Sequence, residues 1–254
     1  MPASLDVYVA VFRARCDVVR RSSQLRVDEP GVHGLLPSSE DPRARLLVTD
    51  DRAYEVLDAL LPGLHAGMIR VFSAAARCAE LVGGHLPWES DAVTAMICRD
   101  LESVPEAALP APLALRPVRR LDDDEPGGVA VRDAVAAANP AAPAGNESSA
   151  AFGEYLRSLP PAFRLFAAVD DAGVVRATSG SSAFGTAADV IFVNTHPDWR
   201  RRGIGQAMVT AALRAARDRG ARQACLDASD AGVGIYVRLG FETVSRATRF
   251  HRSG

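Results

Sequence analysis

The sequence predicts an α/β protein, with a mixed sheet flanked by helices in residues 113–254 and a smaller α/β domain in residues 1–104. Two observations lead to this prediction. Short apolar runs rich in β-branched and aromatic residues alternate with longer segments whose apolar residues recur every three or four positions. Prolines concentrate in the stretch 105–112, where a helix cannot continue, so we interpret this stretch as a linker.

The composition of the 254 residues favours a soluble, cytoplasmic protein. A net charge of −2 provides no overall field for nucleic acid, and no run of about 18 apolar residues is present to cross a membrane. All 29 basic residues are arginine, which is typical of a GC-rich bacterial genome and leaves no lysine to accept an acyl group. The cysteines are too widely spaced for a metal-ligand pair, so we expect no metal. They are Cys16, Cys78, Cys98 and Cys225.

The most informative stretch is 200–207, where a predicted strand gives way to a predicted helix. The apolar run 190–193 is typical of a strand, and Pro197 then turns the chain. From Gly203 onward the apolar residues recur at helical spacing, and Gly220 is suited to the helix C-terminus. A helix that begins at Gly203 presents unpaired backbone N–H groups and a partial positive charge, which together favour an anion.

The residue types in this stretch favour phosphate as that anion. Gly203 and Gly205 have no side chain to hold a phosphate oxygen away from the backbone, and the three preceding arginines add charge that does not titrate away. The same residues are also compatible with a solvated helix start that binds nothing. Two other glycine motifs fit less well. The stretch lacks the Gly-Lys-Ser/Thr of a nucleotide P-loop, and Met208 stands where a dinucleotide fingerprint needs a third glycine.

A second motif follows this helix, because Tyr236 stands four residues before the pair Gly240-Phe241. In combination with Arg-x-x-Gly-x-Gly at 200–205, this order resembles the GNAT superfamily of acetyl-CoA-dependent N-acetyltransferases, and the resemblance covers roughly residues 112 to 250. It implies a GNAT-like fold with a central splayed mixed sheet flanked by helices. By analogy with tandem members, the N-terminal part is interpreted as a degenerate copy of that fold, although its sequence shows no internal repeat.

The resemblance also implies how CoA is held. The strand at Val193 and Thr195 pairs with the pantetheine arm as an added strand, and the loop after it holds the pyrophosphate. Ser229 stands where many family members carry asparagine. The residues assigned to cofactor binding are Val193, Thr195, Arg200, Arg201, Arg202, Gly203, Ile204, Gly205, Gln206 and Ser229.

Tyr236 matches the family's usual general acid. When an amine attacks the thioester, the departing thiolate needs a proton, and a phenol with an unperturbed pKa of about 10 can supply one. The other interpretation is that Tyr236 is only an aromatic residue on a buried face shared with Val233 and Val237.

These residues predict an enzyme that moves an acetyl group from acetyl-CoA to a primary amine by direct attack in a ternary complex. The amine must be neutral to attack, so Asp189, Glu154 and His196 are considered as general bases, although each also fits a surface or turn position. The alternative function is a non-catalytic acyl-CoA-binding regulator. The acceptor and the formation of a homodimer are left open by the sequence.

Further elements are predicted on both sides of the linker. After it we expect a strand at 113–118, helices from the acidic run 122–125 and at 150–159, a variable loop at 140–149, and a hairpin of 163–169 with 174–182. Before it we expect helices at 5–19 and 54–61, strands at 44–48 and 93–98, and a turn at Gly83-Gly84.

Overall fold

A computed structural model describes residues 2–20, 22–85, 88–119, 127–130, 134 and 163–252. The predicted helix start at 122–125, loop at 140–149, helix at 150–159 and base candidate Glu154 lie outside the described residues. The chain forms two compact units. The first unit comprises Met1–Ile97, Asp227–Gly234 and Glu242–Gly254, and the second comprises Cys98–Leu226 and Ile235–Phe241.

The first unit places helices on a sheet of mixed strand direction. Its elements are α1 (Pro2–Val19), β1 (Arg26–Glu29), β2 (Val32–Leu35), β3 (Arg43–Val48), α2 (Tyr54–Leu60), β4 (Ala66–Phe72), α3 (Ala76–His85), β5 (Glu89–Cys98) and β12 (Glu242–Arg252). The strands lie in the order β1-β2-β3-β4-β12-β5. The pair of β3 with β4 is parallel, and the other neighbouring pairs are antiparallel.

The sheet of the first unit is covered on both faces. On one face, Leu57 of α2 and Cys78 of α3 pack in a cluster with Leu46 and Ile69, and all four are fully buried. Side chains alternate along a strand, so Arg70 and Phe72 of β4 lie on the opposite face. There they contact Phe12 and Tyr8 of α1.

The predicted helices and strands of this unit are found, but the predicted turn at Gly83-Gly84 is wrong. Both glycines lie inside α3. Glycine in a helix interior costs only about 1 kcal/mol relative to alanine, and the packing of Cys78 and Val82 in the core compensates for this cost.

The second unit carries the strand-turn-helix segment singled out in the sequence. Its elements are β6 (Ala114–Arg119), β7 (Val129–Ala130), β8 (Phe163–Val169), β9 (Val175–Phe184), β10 (Ala187–Thr195), α4 (Ile204–Arg217), β11 (Gln223–Ala228) and α5 (Val233–Arg238). The last two residues of β11 and the first two of α5 belong to the first unit. The strand order is β7-β6-β8-β9-β10-β11. The predicted hairpin is confirmed, and the Asp170 carboxylate fixes its turn by accepting from the N–H groups of Ala172 and Val174.

Helix α4 covers one face of this sheet. Its buried residues Ile204 and Met208 pack with Ala168 and Ala177 of the strands, and the Ser181 hydroxyl donates to the Ala212 carbonyl at 2.7 Å. The helix ends as the sequence predicts, with Gly220 at φ +96°. One prediction is wrong: Val129, expected within a helix, lies in β7 and pairs in parallel with Val118.

Candidate functional site

Strands β10 and β11 pair over only part of their length. The parallel ladder joins Ala187 to Gln223 and ends at Asp189 and Cys225, whereas β10 continues to Thr195. On its other side, β10 stays paired with β9, but the register shifts between Ile191 and Asn194. The backbone groups of Val193 and Thr195 therefore lie beyond the ladder with β11, although the Thr195 carbonyl already accepts a hydrogen bond from Arg200. An extended ligand can pair with strand backbone that lies beyond such a ladder.

A bulge gives this part of β10 its shape. Phe192 adopts a left-handed φ of +57°, and its carbonyl accepts a hydrogen bond from the Thr178 hydroxyl at 2.8 Å. Its ring packs edge-on against Phe163 with the centroids 6.0 Å apart. A bulge re-aims the residues around it, and here it is held in place by one polar and one aromatic contact.

The loop after β10 is braced by its own side chains. The His196 ring accepts from the Asp198 backbone N–H and so caps a 3-10 turn at Pro197–Trp199. Arg200 Nε donates to the Thr195 carbonyl at 3.0 Å, and Arg202 donates to the Asp198 carbonyl at 3.1 Å. Two of the three arginines therefore stabilise the conformation of the loop through hydrogen bonds to its own carbonyl groups.

Trp199 stiffens the same loop, and sequence reasoning missed it. The guanidinium carbons of Arg176 and Arg202 lie 5.2 and 5.0 Å from the centroid of its ring. Stacked guanidinium groups lose little freedom when they bind an anion. The only signal available in the sequence was a tryptophan in a loop beside arginines.

The N-terminus of α4 faces the end of this loop. Arg201 and Gly203 are both left-handed, at φ +65° and +77°, and among the described residues no side chain caps the helix at Gly203. The first hydrogen bond of the helix runs from the Ala207 N–H to the Gly203 carbonyl at 3.1 Å. Backbone N–H groups that precede it point out of the helix, and alternating left-handed residues turn such groups toward one point, which suits an anion.

Arg201 differs from its two neighbours. Its side chain makes no hydrogen bond, ion pair or ring contact with any residue that the structure describes, and it is exposed. Of the three arginines, Arg201 is therefore the one whose guanidinium is not engaged in bracing the loop.

Gly205, in the first turn of α4, lies close to the end of β10 and to helix α5. A Cβ atom at this position would lie 3.1 Å from Ile235 Cδ1 and 3.7 Å from Thr195 Oγ1. The absence of a side chain therefore lets the first turn of α4 approach both the end of β10 and the helix that carries Tyr236. Thr195, Gly205 and the residue before Tyr236 are brought together in this way.

Tyr236 is buried, with 6% of its surface exposed, and its ring packs edge-on against Phe241 at 5.8 Å. Burial raises the pKa of its phenol to about 12. Within the described part of the chain, nothing hydrogen-bonds its hydroxyl. The apolar face expected around it is only partly present, because Val237 is 57% exposed.

The remaining candidate residues, Asp189, His196 and Ser229, lie in different surroundings. Asp189 is 8% exposed and stands where the ladder of β10 with β11 ends, across from Ser182 in β9. His196 uses one ring nitrogen to cap the turn at Pro197–Trp199. Ser229 is exposed in the turn before α5, and its carbonyl accepts from the Gly232 and Val233 N–H groups. The described residues contain no group of three His, Cys, Asp or Glu side chains that could hold a metal ion.

Residues 161–243 match the family described as the acetyltransferase (GNAT) domain. No curated protein matches the sequence. None of the helices in the described ranges is long and apolar enough to cross a membrane.

Solved structures extend the likeness over the whole chain. A GCN5-related N-acetyltransferase from Kribbella flavida is 20% identical with a TM-score of 0.63, and the match covers 98% of this chain and 96% of that one. A GCN5-related N-acetyltransferase from Sphaerobacter thermophilus is 16% identical with a TM-score of 0.58, over 87% and 76% of the two chains. A tandem GNAT protein from the clavulanic acid biosynthesis pathway is 16% identical with a TM-score of 0.54, over 99% and 95%. At these identities the likeness concerns the fold.

Proposed function

We propose that this chain transfers an acetyl group from acetyl-CoA to a primary amine, because its residues 161–243 match the acetyltransferase (GNAT) domain. The amine attacks the thioester directly while both substrates are bound. The observation that carries the proposal is the close approach of Gly205, in the first turn of α4, to Thr195 at the end of β10 and to Ile235, the chain neighbour of Tyr236.

The edge of β10 supports the binding of CoA. The pantetheine arm contains two amide groups, so it can pair with backbone groups beyond the end of the ladder as an extra strand does. Val193 and Thr195 are the residues we assign to this pairing, and the bulge at Phe192 sets the direction of that edge.

The loop and the helix N-terminus support the binding of the pyrophosphate. The N–H groups of Gly205 and Gln206, at the start of α4, donate to phosphate oxygens. Arg200 and Arg202 keep the loop in shape through the carbonyls of Thr195 and Asp198, and Arg201 supplies its guanidinium to the ligand. Ile204 anchors the loop in the core, since it is only 1% exposed. Ser229 remains a proposed contact at the end of β11.

Tyr236 serves as the general acid in this proposal. Its raised pKa keeps the phenol protonated at neutral pH, and its hydroxyl, which none of the described residues hydrogen-bonds, would donate to the departing thiolate. Among the described residues, Asp189 is our candidate for the general base. It is buried at the point where the ladder of β10 with β11 ends. The likeness to a tandem protein supports a degenerate GNAT-like N-terminal domain. The linker at 105–112 stays a prediction, and the compact units place 227–234 and 242–254 with the N-terminal residues and not with the rest of the predicted domain 113–254.

The proposal predicts that the protein releases CoA thiol from acetyl-CoA only when a suitable primary amine is present. Thiol release is followed colorimetrically with a panel of small amines, amino acids and peptides with free N-termini. A regulator that only senses acyl-CoA would bind it, as calorimetry would record, without amine-dependent release of thiol. That result would contradict the proposed enzyme and favour the non-catalytic acyl-CoA-binding regulator.

A second prediction concerns Arg201. Arg201→Ala should weaken CoA binding about fivefold, since a hydrogen bond to a charged group contributes about 1 kcal/mol or more, and the loss should shrink as salt is added. Arg219→Ala is the matched control, because Arg219 is exposed just after the opposite end of α4. Calorimetry that finds equal affinities for the two variants would remove Arg201 from the site.

A further inference from the structure

A buried polar cluster in the first unit involves residues that the proposed mechanism does not use. The Tyr8 hydroxyl and Arg70 Nε donate to the two different carboxylate oxygens of Asp227. The side chains of Arg70 and Asp227 are only 9% and 10% exposed. Burial by itself raises the pKa of Asp227, but the Arg70 charge and the Tyr8 hydrogen bond outweigh it and hold the pKa below its usual range. Asp227 is therefore a carboxylate with both oxygens occupied, and it is unsuited to act as a base.

Both donors are themselves fixed in place. The Tyr8 ring contacts the Phe72 ring with centroids 5.6 Å apart, and the Arg70 guanidinium lies 5.9 Å from the centroid of Phe12. Arg70 belongs to β4, which pairs with β3 on one side and β12 on the other. Asp227 is thus held by a helix and by an interior strand, and neither can move without disturbing the core of the first unit.

The chain that follows Asp227 leads directly to the proposed general acid. The ladder of β11 with β10 has already ended at Cys225. After Asp227 comes a compact turn, in which the Ser229 carbonyl accepts from two N–H groups, and then α5, whose fourth residue is Tyr236. The connection is short and internally hydrogen-bonded.

We propose that Tyr8 and Arg70 are positioning residues that act through Asp227: they hold the end of β11 so that α5 presents Tyr236 in one position. This inference rests on the proposed function for its catalytic consequence. The ion pair of Arg70 with Asp227 holds one carboxylate oxygen. The Tyr8 hydrogen bond holds the other oxygen and so fixes the orientation of the carboxylate.

The test uses the full-length protein with Tyr8→Phe, which removes one hydroxyl and leaves the ring and the ion pair intact. We expect kcat to fall about fivefold, as the loss of one hydrogen bond allows, with the KM for acetyl-CoA unchanged. In the Tyr236→Phe background the same change should have no further effect on kcat, because the group being positioned is gone. Tyr54→Phe is the matched control, since the Tyr54 hydroxyl has no partner among the described residues of the same unit. Equal fivefold losses in both backgrounds would overturn the inference.

Hydrogen exchange separates this inference from the proposed function. Tyr8→Phe should speed amide exchange in the peptide 229–241 and leave the loop 200–206 unchanged, whether or not any amine is acetylated. If the wild-type protein releases no thiol but this peptide responds, the positioning stands and the proposed function fails. If the wild-type protein turns over and the peptide does not respond, the positioning is wrong.

Discussion

Tyr236→Phe should lower turnover by about 100-fold or more, because general acid catalysis typically contributes a factor of this size. The ring and its edge-on contact with Phe241 are kept, so folding and CoA affinity should be unchanged. The measurement is kcat under conditions in which chemistry limits the rate, with CoA affinity and melting temperature recorded alongside it. The proton also sets a pH dependence. Since burial raises the pKa of Tyr236 to about 12, its contribution should be lost only as the pH approaches that value.

The control for Tyr236 is its truncation. Tyr236→Ala removes a side chain that is 6% exposed, and the cavity should destabilise the protein by roughly 3 kcal/mol. If Tyr236 only fills the core, the alanine variant is destabilised while the phenylalanine variant turns over as the wild type does. A phenylalanine variant with wild-type kcat would leave the enzyme without its proposed acid.

Gly203→Glu should weaken CoA binding at least tenfold, about 1.4 kcal/mol or more, as measured by calorimetry. The variant places a carboxylate at the uncapped start of α4, where the N–H groups would otherwise donate to phosphate, and like charges repel. Nothing lies within 4 Å of a Cβ atom at Gly203, so the substitution does not clash with the described protein. The left-handed φ of +77° still costs some stability, so the loss of affinity is judged against a control with the same backbone.

Gly173 offers a matched control for the backbone of Gly203. It has the same φ of +77°, and a Cβ atom there also meets nothing within 4 Å, but it lies in the turn of the hairpin of β8 with β9. Gly173→Glu should lose similar stability from the left-handed conformation and keep the affinity for CoA. Equal affinities for the two variants would contradict the assignment of the loop.

The features that the sequence predicted well are those with a local cause. The apolar run of β10, the turn at Pro197 and the helical spacing after Gly203 lie within thirty residues of one another, and the structure has each of them. The helix begins at Ile204 with Gly203 as its cap, and Gly220 follows its end in a left-handed conformation. Tyr236 was found because it belongs to a motif with a fixed spacing to Gly240-Phe241.

The features that it missed depend on contacts between distant segments. The strand β7 pairs over two residues only, which is too short for any periodicity to register. Asp227 lies 219 residues from Tyr8 and 157 from Arg70, so no local pattern could join them. One weak signal was present, because Asp227 is the only charged residue of β11, and a buried charge in an apolar strand needs a partner.

The left-handed backbone at Arg201 has a consequence for anyone who tries to make this protein more robust. A residue with a Cβ atom at φ +65° costs about 1–2 kcal/mol that glycine avoids, so a redesign guided by melting temperature alone would replace this arginine. The substitution would relax the loop and discard the one guanidinium of the three that is not committed to the loop itself. Under the proposed role of Arg201, thermal robustness and affinity for the co-substrate are improved by opposite changes at this position.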